Sequence, residues 1–181
     1  MTTTSETPRI IGPMLAANAR PTVGLAQQLA AGIDPTQAAR LPISNGKTII
    51  TNHPVFIFGH LALYPERVAD LLGADKASVA VPEGYDELFR HGVDCRDDAS
   101  GSLYPAFEEV RDHMVRAHTG AIELVASAGD DELGRDLPDE ARRGTWPTVG
   151  VAVNFLLGSH AMFHLGQLSA WRRFSGLGPA T

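Results

Sequence analysis

The chain has 181 residues, a formal charge of -6, and 44% hydrophobic and 20% charged residues, which excludes a disordered or fibrous chain and leaves enough apolar surface for a full core. No run of Lys or Arg is dense enough to neutralise a phosphate backbone or an anionic bilayer surface, which argues against nucleic-acid and membrane partners. Cys95 is the only cysteine, so no intrachain disulfide can form, and a cytoplasmic protein is the expectation.

The stretch RIIGPMLAANA from Arg9 has the order of a secretory leader, with a base before an apolar patch and small residues after it. Gly12 and Pro13 break the patch, and Glu6 puts an acid where a leader is basic. No apolar stretch approaches the roughly 20 residues of a membrane-spanning helix.

Helical periodicity marks four segments with no composition shift between them, so one all-α domain over residues 1–181 is expected. The first runs from about Ile10 to Ile33, with Pro21 either kinking it or opening its second part. GKTII, Gly46 to Ile50, is the one notable β-branched run, so strands are minor. The second helix spans about Pro54 to Leu72, with Asn52 and His53 at its cap, Pro54 where a missing N–H costs nothing, and Gly73 as its stop. About thirty residues follow, too many for a tight turn between antiparallel helices; they are long enough to cross the bundle and to lid a cleft. The third helix, about Pro105 to Ala128, carries Phe107, Val110, Met114, His118, Ile122 and Val125 at helical spacing. A long charged connection with little to pack leads to the fourth, about Thr148 to Phe174, closed by Gly176 and Gly178.

Candidate chemistry lies in the histidines. On the fourth helix Val153, Leu156 or Leu157, His160, His164, Gln167 and Trp171 advance in steps of three and four, so they share the core face. Imidazoles at i and i+4 lie on adjacent turns and can converge on one ion. On the second helix His60 lies in an equally apolar stripe, VFIFGHLAL. Each histidine alone reads as a core residue bonded to a backbone carbonyl. Three on two packed helices are satisfied together by a divalent metal bound through three nitrogens, with water or substrate completing the shell. His118 is a second candidate for the same core, His53 belongs at the start of its helix, and His91 and His113 read as loop and solvent-facing.

Other signatures fail. NGKT, Asn45 to Thr48, resembles the end of a phosphate loop but has Leu41 where the first glycine belongs, and HAMFH has Ala161 where a zincin carries its glutamate. Ser159 points about 100° away from His160 on a helix. Cys95 lies in a polar loop beside Arg96, a cation that lowers a thiol pKa, though one exposed cation makes a weak nucleophile.

GHLALYPERV on the second helix and GSHAMFHLGQLSAWRRFSGLGP on the fourth resemble the DinB/YfiT-like superfamily of metalloenzymes. The specific part is HxxxHxGQ, met by His160, His164, Gly166 and Gln167, together with His60 and the NHP at Asn52 to Pro54. The resemblance implies a four-helix bundle with long crossover connections and a metal bound by His60, His160 and His164, zinc or nickel, with positions open to water or substrate. It also implies a small-molecule substrate and, as in some relatives, a low-molecular-weight thiol cosubstrate. The expected function is a thiol-dependent S-transferase or a hydrolase; the alternative is a non-catalytic, stress-related bundle that binds metal or a small ligand. No acid lies beside the histidines in sequence; Glu108 and Glu109 are weighed as bases and not adopted, so the catalytic residues are unassigned. Gln167 is placed either to orient a ligand or to anchor the bundle, Gly166 to allow close helix approach, and Phe56 and Tyr64 either to line a pocket or simply to fill the core. A homodimer through exposed helix faces is compatible with the pattern.

Overall fold

The structure is a computed structural model, described for residues 9–179; Glu6 lies outside the described residues. It is all-α, and its helical runs coincide with the four expected segments. The first is α1 (Ile11–Ala30), which buries a stripe of small residues, Gly12, Ala16, Ala19 and Ala26, so that it packs closely on α5 (Phe107–Ser127). Both ends of α1 are closed by distant side chains. The Asp130 carboxylate accepts from the backbone N–H groups of Ile10 and Ile11, at 2.9 Å each, where the helix dipole favours an anion. The buried Arg172 guanidinium donates to the carbonyls of Leu29 and Ala31, at 2.8 and 2.7 Å. The helix runs through Pro21 without a break, because the carbonyl that proline leaves unpaired belongs to exposed Ala17, where water can satisfy it.

The segment NGKT is the turn of a small hairpin, β1 (Ile43–Ser44) and β2 (Lys47–Thr48). Asn45 and Gly46 both have positive φ, 51° and 75°, as a two-residue type I′ turn requires.

The second helical segment is two helices, α2 (Pro54–Ala62) and α3 (Tyr64–Leu72). Pro65 has no N–H to give the Leu61 carbonyl, so the ladder breaks at Leu63. His118 Nε2 of α5 donates to that carbonyl instead, at 3.1 Å, which makes His118 a structural residue. His53 caps α2 through Nδ1, which accepts from Phe56 N at 3.2 Å, while its Nε2 donates to the Arg96 carbonyl. Asn52, expected at the same cap, reaches across to Gln167 instead. Gly73 ends α3 in the left-handed conformation.

The thirty-residue connection carries α4 (Tyr85–Phe89), which buries Tyr85 and Phe89 against α2. The later connection holds α6 (Asp130–Gly134) and a 3₁₀ turn (Glu140–Arg142). Sequence made it a charged link with little to pack, yet Leu133 and Leu137 are 1% and 3% exposed. His113, expected to face solvent, is buried on α5 against Tyr85.

The fourth run opens with α7 (Val149–Asn154), widens into a π-turn (Phe155–Ser159) and continues as α8 (His160–Phe174). The bond from His160 N–H to the Phe155 carbonyl marks the widened turn. By length and composition Val149–Phe174 is apolar enough to cross a membrane, contrary to the sequence reading, but half of its most apolar window is buried inside the protein. That apolar surface is used in packing: α8 lies against α1 and α2, α1 against α5, and α5 against α2 and α3. Leu157, Leu165, Leu168 and Trp171 supply its core face, and the Trp171 indole also donates to the Arg40 carbonyl at 2.9 Å.

Candidate metal centre

His60 leaves the middle of α2, and His160 and His164 leave the first two turns of α8. The packing of α2 on α8 brings the three rings together. His160 Nε2 lies 3.3 Å from His60 Nε2 and 3.2 Å from His164 Nε2, and one nitrogen from each residue falls within 4.8 Å of the others.

The outer nitrogens of two rings are held by oxygens that can only accept. His60 Nδ1 donates to the Phe89 carbonyl at 2.7 Å, and His164 Nδ1 donates to Gln167 Oε1 at 3.0 Å. Asn52 Nδ2 donates to the same Gln167 oxygen at 3.1 Å and fixes which way that amide faces. Both rings therefore turn an Nε2 lone pair inward. His160 Nδ1 is buried with no hydrogen-bond partner among the described residues. Burial holds all three imidazoles neutral: it pushes His60 down to about 4 and His160 to about 3, the latter also through the neighbouring His164 and His60, and it lowers His164.

These residues fit a divalent ion. Two nitrogens each about 2.0–2.1 Å from a tetrahedral centre lie roughly 3.3–3.4 Å apart, close to the separations across His160. The donors are imidazoles whose pKa values are lowered, two of them with lone pairs already aimed, which is the state a metal needs.

Around the cluster, the Tyr64 hydroxyl of α3 lies 3.2 Å from His60 Nε2, and the Tyr64 ring is 4.3 Å from that of His160. Burial raises the Tyr64 pKa, so the phenol keeps its proton. Phe56 stacks parallel to His60 at 6.4 Å. One cavity of about 570 Å³ opens beside the three histidines, walled by Phe56, Phe163 and the connection residues Arg90 to Val93. A second, of about 710 Å³, meets it at His91, Phe155 and His160. The long connection thus forms one wall of the cleft.

Several expectations are corrected. Gly166 is exposed and no atom crowds the position a Cβ would take, so it permits no close helix approach. Cys95 is half-buried, and burial pushes its thiol up to about 12 despite Arg96. Glu108 and Glu109, not adopted as bases from the sequence, are exposed in the first turn of α5 and line neither cavity, in keeping with that choice. The Phe89 carbonyl was missed because a backbone acceptor leaves no signal in residue type. Gln167 could be read from its place one turn after His164; Asn52 could not, since its partner is 115 residues away.

The architecture and cluster define a helical protein with a three-histidine cleft. The family model described as the DinB superfamily matches residues 22–168, and the chain belongs to that superfamily. Comparison with curated proteins and with solved structures gave no match.

Proposed function

We propose that His60, His160 and His164 bind a divalent metal, zinc or nickel, through their Nε2 atoms, and that the chain is a cytoplasmic metal-dependent enzyme of the thiol S-transferase or hydrolase type acting on a small molecule. The observation that carries this reading is the convergence of three neutral Nε2 atoms, two with tautomers fixed by acceptor-only partners. A divalent ion at this point acts as a Lewis acid that acidifies a thiol or a water molecule near neutral pH.

The protein's own groups do the rest. Gln167 and the Phe89 carbonyl keep His164 and His60 aimed, and Tyr64 holds a proton at its Oη within reach of the same point. Phe56, Phe155 and Phe163 line the cleft and limit water around a bound substrate. The acids that line it are engaged elsewhere, Asp70 with Lys76 and Asp139 with Arg142, whereas the Tyr64 hydroxyl lies 3.2 Å from His60 Nε2. The pairing of both cleft-lining acids among the described residues also supports the second reading, a non-catalytic bundle that binds metal or a small ligand.

Elemental mass spectrometry on untagged protein, before and after dialysis against a mild chelator, tests the metal site. Near-stoichiometric zinc or nickel is expected in the wild type and loss of it in His60→Ala, His160→Ala and His164→Ala. A folded wild type that takes up no metal would overturn the reading. Thiol-dependent conjugation or hydrolysis by the loaded protein then separates enzyme from binding protein.

A further inference from the structure

The second cavity has an apolar wall, Leu71, Leu137, Leu156 and Trp146, with Tyr64 and His160 also at its surface. Trp146 packs on Phe155 at 4.9 Å, and both rings are only partly buried. Two arginines line the same space. Arg142 is engaged by Asp139 at 3.1 Å. Arg67 makes no ion pair or hydrogen bond among the described residues; its guanidinium lies 4.9 Å over the ring of Tyr64, the same ring that His160 contacts at 4.3 Å. Arg67 is exposed at the rim of this cavity; of the two carboxylates that line the same space, Asp70 pairs with Lys76 and Asp139 with Arg142, so this guanidinium stands beside the histidine cluster with no carboxylate of its own among the described residues.

We propose that this cavity is a binding site for a small apolar carboxylic acid, held by Arg67 at its carboxylate with its hydrocarbon body against Trp146 and Leu137. The guanidinium fork matches a carboxylate in two parallel hydrogen bonds, and its place over the Tyr64 ring holds the charge at the mouth of the cavity. One unpaired cation suits a monoanion better than a phosphate dianion. Bound this way, the far side of the ligand lies beside His160, so the inference rests on the reading of the cleft as the substrate site and names its substrate class.

The test is isothermal titration with 3-phenylpropionate and its neutral amide, 3-phenylpropanamide, using protein as purified and again after chelation. The acid is expected to bind about tenfold or more tightly than the amide, with or without metal. Arg67→Gln should abolish that preference and Arg67→Lys retain part of it. Arg173→Gln, an exposed change of the same net charge on α8, should leave it intact. Equal affinity for acid and amide, no binding of either at millimolar concentration, or a preference that survives Arg67→Gln would overturn the proposal. A preference that needs metal and survives Arg67→Gln would put the carboxylate on the ion, sinking this site while supporting the metal centre. A preference lost in Arg67→Gln, in a protein that takes up no metal, would do the reverse.

Discussion

Gln167 sits one turn beyond His164, and its amide oxygen takes hydrogen bonds from both His164 Nδ1 and Asn52 Nδ2. A leucine there would leave His164 free to turn without emptying any packed core. Gln167→Leu is expected to weaken metal retention roughly 10- to 100-fold, measured by competition with a chromophoric chelator, while the circular dichroism spectrum is unchanged. Cys95 makes a contrasting case. Its neighbour Arg96 gave only a weak case for an activated thiol, and the side chain lies beneath the backbone of His53, whose N–H points at its sulfur at 3.4 Å. With burial raising the pKa to about 12, Ellman's reagent at pH 8 should react slowly with the native protein and fast in urea. At this scale the sequence showed which residue types were present and, on one helix, which of them adjoin. It did not show what covers a side chain from a distant segment.

Helix positions were legible because apolar spacing and glycine stops are local signals. Their internal breaks were not. The π-turn falls where Leu156 and Leu157 are both buried, and either regular or widened winding satisfies that pair. Pro65 was visible, but its effect on α2 depended on His118 being there to take up the Leu61 carbonyl. Close packing between elements was equally hidden. A Cβ on Gly59 of α2 would meet the Phe89 ring at 2.5 Å, and that ring is fully buried. Gly59→Ala is therefore expected to cost about 1–3 kcal/mol, read as a lower denaturation midpoint. Because Phe89 also holds His60 through its carbonyl, the same variant should retain metal less tightly than wild type.

The all-helical architecture and the three-histidine cluster could be read ahead of the structure, since periodicity placed His60, His160 and His164 on inward faces. The part played by the connections could not, because Leu133, Leu137 and Phe89 are buried by partners far away in sequence. Burial of histidines also sets how the whole fold answers acid. His53 and His118 are held neutral, each with its pKa lowered to about 4 by desolvation. An unfolded chain takes up these protons near pH 6.5, while the folded one refuses them until about pH 4. Stability from these groups is complete above pH 6.5 and declines by about 1.4 kcal/mol per pH unit per histidine as pH falls to 4. Urea titrations across that range should show the decline, and His118→Leu should flatten it while lowering stability at pH 7.

The cluster joins positions 100 residues apart, His60 and His160. An ion that ligates both makes a ring of everything from α2 to the start of α8, with α5 inside the ring and α1 left as a tail outside it. If the ion stays bound as the packing loosens, the open chain has far fewer conformations to reach. Chelation would then act on this protein as reduction acts on one closed by a disulfide, a cross-link for which its lone cysteine offers no thiol partner.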